Sequence, residues 1–243
     1  MKIRTLIIGY VLALALFLFA KRHPDASSTT EFHAVVDLTH AMDAHALAYK
    51  PAGKSVVSPD LLGTRIDAPA HFARDLWTVD QIPTDRLLAP LVVLDVSANI
   101  QSHPDYQVSV EDIARWERAH SQIPLGSVVI ARTGWDSRWR SVKDYRNADR
   151  KGTMHFPGYS PDAAKFLVEG RNAIGVGIDT LSIDYGPSKD FPVRQYTLAH
   201  SVYQLENVDN LDRAPIAGGT VVVAPAKLES GRSGPVRILA LLH

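Results

Sequence analysis

Positions 61 to 71 read Leu-Leu-Gly-Thr-Arg-Ile-Asp-Ala-Pro-Ala-His, and they bring a guanidinium, a carboxylate and an imidazole close together along the chain. Extended backbone alternates its side chains, so Leu61, Arg65 and Asp67 are expected on one face. Gly63 falls on that face too and leaves room for a close approach. Pro69 ends the pairing, and His71 projects from the turn that follows. Arg65 opposes any cation, because a guanidinium stays protonated and offers donors only. A buried Arg65 needs a carboxylate partner. The plain alternative is an Arg65 turned to solvent.

Other reactive residue types carry less. Ser182 has no nearby histidine and acid in a serine-hydrolase pattern, and no glycine-rich phosphate loop occurs. Asp179 and Asp184 flank a strand end, where turns and caps are the default roles. Lys189 and Asp190 belong to a loop. Trp77, Trp135 and Trp139 read as core or pocket wall, and His40 as a structural histidine in its strand. His155 and His200 have no spacing that builds a ligand set with the others.

The elements that must position these groups are mostly strands. Short apolar runs rich in valine and isoleucine lie at 33–39, 91–96, 127–131, 174–178, 202–205, 221–224 and 236–241, bounded by Gly, Pro or Asp. Several lack alternation, which implies burial on both faces. Ser109 with Asp112 forms a capping pair for a helix to about His120, with Ile113 and Trp116 on one side. Ser160 before Pro161 caps a second helix that runs to about Val168 and stops at Gly170. Periodicity alone gives a mixed α/β chain.

At 243 residues and 46% hydrophobic content, the chain can bury the core of one ordinary domain. Its formal net charge of zero favours neither nucleic acid nor an anionic membrane. The absence of cysteine excludes disulfides, thiolate nucleophiles and thiolate metal ligands. Lys2 and Arg4 precede an apolar run from Leu6 to Ala20, the pattern of a secretory signal. Residues 1–20 are expected to be a signal peptide or an uncleaved anchor, and 21–31 a polar linker. Residues 32–243 are the expected folded domain, exported to a periplasm or secreted. Membrane attachment would run only through the N-terminal segment.

Four pieces in order carry a resemblance: Asp37-Leu38-Thr39-His40; Gly63 to His71; Gly177-Ile178-Asp179-Thr180-Leu181-Ser182-Ile183-Asp184; and Glu206-Asn207 with Asn210-Leu211-Asp212. Pro235-Val236-Arg237 closes the series. Together they resemble the cyclase family that contains bacterial kynurenine formamidase and isatin hydrolase. The resemblance implies a swivelling β/β/α fold, a β-rich α/β domain with helices packed outside. It also implies a homo-oligomer and a small-molecule substrate. The implied chemistry is metal-assisted hydrolysis of a small amide, of the class that takes N-formylkynurenine to kynurenine and formate.

The family motif is His-x-Gly-Thr-His-x-Asp-x-Pro-x-His, with another histidine after Asp-Phe-Pro-Val and a later glutamate. Here the histidine positions hold Leu61, Arg65 and Arg194, whereas Asp67, Glu206 and the acid–base residue His71 are retained. The resemblance therefore implies Zn or Mn in the family and argues against either in this chain. Arg65 and Arg194 can instead balance Asp67 and Glu206, or hold a small anionic ligand. The rivals to an active hydrolase are thus a metal-free, non-catalytic binding protein and a structural partner subunit. Residues 50–60 are shorter than in related sequences, and Tyr185 stands where proline is common.

Overall fold

The computed structural model describes residues 32–42, 63–100 and 102–243. The expected signal segment and linker, Leu61 and the short 50–60 stretch lie outside the described residues. Among these residues ten strands form: β1 (Ala34–Asp37), β2 (Arg65–Asp67), β3 (Leu88–Asp95), β4 (Gln107–Val108), β5 (Val128–Arg132), β6 (Gly158–Tyr159), β7 (Gly175–Ile178), β8 (Tyr203–Glu206), β9 (Gly219–Pro225) and β10 (Ser233–Leu242). Among the described residues five α-helices accompany them: α1 (Ser97–Ile100), α2 (Val110–His120), α3 (Val142–Arg146), α4 (Pro161–Lys165) and α5 (Pro192–Ala199).

The main sheet runs β1-β10-β2-β8-β7-β5-β3-β9, and a further β10–β9 pairing closes it into a barrel-like ring. β3, β5, β7 and β8 are mutually parallel, while β2, β9 and β10 join antiparallel. The long strand β10 makes the closure possible. One of its edges serves β2 through Ser233–Pro235 and β1 through Leu239–Leu242, and its other edge pairs with β9.

Unalternating apolar strands give two cores. On β3, Leu91 and Val93 join the core enclosed by the curved sheet, with Val128, Ile130, Leu205 and Ile238. Val92 and Leu94 face outward and pack with Ile113, Trp116, Trp135 and Leu167. Both faces are buried, as continuous Val/Ile runs require.

Both expected helices form. Ser109 and Asp112 make a reciprocal capping box on α2, and Ser160 caps α4 through the Ala163 N–H at 3.1 Å. The α-helical part of α4 ends at Lys165 and continues as a π-turn through Gly170. Helices α1, α3 and α5 have no counterpart among the sequence expectations. Gly63 is also corrected: its φ of +77° removes it from the strand, and β2 starts only at Arg65. That left-handed conformation suits glycine, which has no Cβ to clash.

Candidate functional site

The alternation of β2 and β8 builds the site. Ile66 and Leu205 enter the enclosed core, so their neighbours Arg65, Asp67, Gln204 and Glu206 point the other way. The antiparallel register sets Arg65 opposite Glu206 and Asp67 opposite Gln204. Helix α5 packs over this face, and the 3-10 turn Pro69–His71 lies beside it. Asp67 and Glu206 have no solvent exposure at all.

Two guanidiniums meet these two carboxylates. Arg65 Nη2 lies 2.9 Å from Asp67 Oδ1, 2.7 Å from Asp67 Oδ2 and 2.8 Å from Glu206 Oε2. Arg194 Nη2 donates to Glu206 Oε1 at 2.5 Å and to Ser182 Oγ at 3.1 Å, while its Nη1 stands 3.4 Å from Asp67 Oδ2. The Ile183 N–H adds a donor to Glu206 Oε1 at 3.2 Å. Every carboxylate oxygen of the pair thus has a guanidinium nitrogen within 3 Å. Two negative and two positive groups cancel in a pocket where an unbalanced charge would be costly. The solvent-facing alternative for either arginine does not occur, since their side chains are only 8% and 13% exposed.

Burial alone would raise the Asp67 carboxyl, but the charges of Arg65, Arg194 and His71 outweigh it and hold Asp67 below the usual range. For Glu206 burial prevails over the same arginines, and the nearby Asp67 charge adds to it. His71 is half-buried. Burial, helped by Arg194 and Arg65, lowers its imidazole against the opposing pull of Asp67. It stands neutral at neutral pH, beside the cluster the sequence expected it to join.

Arg194 is placed by a cap that sequence reading did not foresee. Asp184 follows β7 and reaches the first turn of α5, where its Oδ1 accepts from Val193 N at 2.9 Å and its Oδ2 from Arg194 N at 3.0 Å. The expected capping role of Asp184 is therefore real, but the cap comes from well upstream in the loop that leads into α5 and not from the residue next to the helix. Asp179 likewise caps the turn that begins at Thr133, accepting from the N–H groups of Thr133, Gly134 and Trp135.

The remaining motif residues are framework. Thr64 Oγ1 accepts from His40 N at 2.8 Å and donates to the Asn207 carbonyl. Asn207 Nδ2 donates to the Gly63 carbonyl and its Oδ1 accepts from Tyr145 Oη, each at 2.9 Å. His40 stacks on Trp139 with ring centroids 3.9 Å apart. Three of the sequence pieces are thereby tied together under the ionic cluster. Trp135 is buried core, as expected, and Trp77 carries Arg86 over its ring. His155 pairs with Asp105 and His200 with the Tyr196 carbonyl, away from the cluster residues.

A cavity of about 480 Å³ opens beside the cluster, with Arg65 and Arg194 on its wall. Gly186 shapes the wall: a Cβ there would stand 2.4 Å from the Met154 carbonyl oxygen, so only glycine lets the two segments touch.

A closed α/β sheet with carboxylates on facing strands under a capped helix defines a cyclase-type fold. The family model described as "Putative cyclase" matches residues 36–185, and the chain belongs to the cyclase family. It is 33% identical to the isatin hydrolase of Roseibium aggregatum over 189 residues, 74% of this chain and 71% of that protein. It is 26% identical to the kynurenine formamidase of Salinibacter ruber over 175 residues, 72% of this chain and 73% of that protein. Isatin hydrolase A from Ralstonia solanacearum superposes with a TM-score of 0.80 at 30% identity, covering 86% of this chain and 92% of that one. An isatin hydrolase bound to the product analogue thioisatinate gives 0.79 at 26% identity, covering 96% and 98%.

The family's metal does not fit these residues. A divalent ion needs donor atoms at about 2.0–2.2 Å, but both Asp67 oxygens and Glu206 Oε1 already accept from guanidinium groups, and Glu206 Oε2 lies in ion-pair contact with Arg65. Among the described residues no cluster of three or more His, Asp or Glu is placed to hold a metal.

Proposed function

We propose that this chain is an exported, metal-free cyclase-family protein that binds a small molecule rather than hydrolysing an amide. One observation carries the reading: all four oxygens of Asp67 and Glu206 are met by Arg65 and Arg194. The guanidiniums supply the positive charge a dication would bring, but they have no open coordination site and cannot lower the pKa of a bound water. His71 keeps its position beside Asp67, yet lacks an activated nucleophile to serve.

Turnover decides between this reading and the hydrolase reading suggested by the relatives' names. The purified chain is assayed with N-formylkynurenine and with isatin, in the presence of Zn or Mn and then of a chelator. Hydrolysis at the buffer rate under every condition is expected. Metal-dependent turnover that the chelator abolishes would restore the hydrolase assignment.

A further inference from the structure

We propose that His155 is a pH-dependent latch on the cavity wall: with both ring nitrogens protonated it ties the hairpin 147–155 to the neighbouring segment 102–106, and loss of one proton frees the hairpin tip. The device is independent of what binds beside Asp67 and Glu206, and of the metal-free reading.

Residues 147–155 fold back on themselves through the Ala148–Met154 bridge. Their ends are joined twice: His155 N donates to the Asn147 carbonyl at 3.2 Å, and Asn147 Nδ2 to the His155 carbonyl at 2.8 Å. Asp149 shapes the tip, its Oδ1 accepting from Lys151 N at 2.8 Å and Thr153 N at 2.9 Å. Gly152, Thr153 and Met154 line the cavity, so a moving tip changes its wall. The segment facing the hairpin is fixed by Tyr106. Its carbonyl accepts from Gly158 N at 3.0 Å, and its hydroxyl donates to Asp112 at 2.7 Å.

His155 stands between one carboxylate from each side. Its Nδ1 lies 2.7 Å from Asp105 Oδ2, and its Nε2 lies 3.8 Å from Asp149 Oδ2. A neutral imidazole carries one N–H and can serve only one of them, whereas the imidazolium serves both. Asp105 Oδ1 is buried without a hydrogen-bond partner among the described residues, so this carboxylate depends on His155. No lysine or arginine among those residues stands within ion-pair distance of Asp105 or Asp149. The charged groups facing the ring are therefore both negative. The hydrogen bond to Asp105 raises the imidazole above its ordinary value, against burial and with help from the charges of Asp105 and Asp149. The latch is thus fully engaged below the ordinary 6.5 and is lost as pH rises through the raised value.

The chain has no cysteine, so a nitroxide attached to Lys151→Cys reports on the hairpin tip alone. Its electron paramagnetic resonance spectrum is followed in the full chain across the range in which histidine titrates. The ratio of mobile to immobile signal should rise about threefold with increasing pH, the scale of a part-exposed ion pair, with its midpoint above that of an ordinary histidine. His155→Gln in the same background should show the mobile ratio at every pH. Asp105→Asn, which keeps the shape of the side chain, should move the midpoint down. Thermal melts report whether each variant is folded, and the Asp105→Asn shift decides alone if His155→Gln is not. A tip equally mobile at all pH values, the full titration persisting in folded His155→Gln, or an unmoved midpoint in Asp105→Asn would each overturn the inference.

Discussion

Arg65 stands directly opposite Glu206 across the β2–β8 pair, with its Nη2 2.8 Å from Glu206 Oε2. The same nitrogen reaches both oxygens of Asp67. A residue at a position where the family expects a histidine has become the hub of a salt-bridged cluster. Its charge now does electrostatically what a cation would do, and what it cannot do is present a coordinated water.

The first prediction concerns that balance. Arg194→Met leaves Glu206 buried without its shortest partner, and removing one member of a buried pair costs about 3–5 kcal/mol. The double variant Arg194→Met with Glu206→Gln should be less costly than the single one, because no charge is stranded. Urea unfolding of the four proteins of the cycle measures both. A single variant that loses almost nothing would mean that Arg194 does not neutralise Glu206.

Asp184 gives an independent handle on Arg194. Asp184→Ala removes the acceptor for two N–H groups in the first turn of α5, and loss of a cap costs about 0.5–2 kcal/mol. Asp184→Asn keeps one good acceptor and should cost less. Equilibrium unfolding distinguishes the two. If Asp184→Ala were as stable as the unaltered chain, the helix would not depend on this cap.

His40 supplies a pH dependence. Burial pushes its imidazole from the ordinary 6.5 down to about 4, despite Asp209 Oδ2 lying 3.3 Å from its Nδ1. The folded state thus binds the proton more weakly than the unfolded state. The contribution to stability is full above about pH 6.5 and is lost as pH falls toward 4, on the order of 3 kcal/mol in all. His40→Gln cannot titrate, so its stability should fall less than that of the unaltered chain between pH 7 and pH 4. Parallel slopes for the two proteins would show that His40 is not buried neutral.

Much of this was legible in the sequence. Asp67 and His71 are far along the chain from Arg194 and Glu206, and ordered motif pieces put them in one list before the fold brought Asp67, Arg194 and Glu206 into contact. The Val/Ile strands and the two capped helices could be read from local pattern. Helix α5 could not, because its cap comes from Asp184, well upstream in the loop that leads into it, and the residue before the helix, Phe191, has no capping side chain and a positive φ of 48°. Gly63 was read into the strand because alternation says nothing about φ.

Histidines at the three substituted positions should recreate the family's ligand set. The combined variant Leu61→His, Arg65→His and Arg194→His removes both guanidiniums and frees the carboxylate oxygens for a cation. It should take up about one Zn per chain in equilibrium dialysis. A folded triple variant that still binds no metal would show that more of the pocket than these three side chains has been lost.

The most direct measurement is the metal content of the unaltered protein, purified without chelator, dialysed against Zn or Mn and then against buffer. With Asp67 and Glu206 held by Arg65 and Arg194, elemental analysis should find far less than one metal ion per chain, with no tightly retained fraction. About one Zn or Mn per chain surviving the second dialysis would contradict the ionic-cluster account and return the chain to the metal-dependent hydrolases.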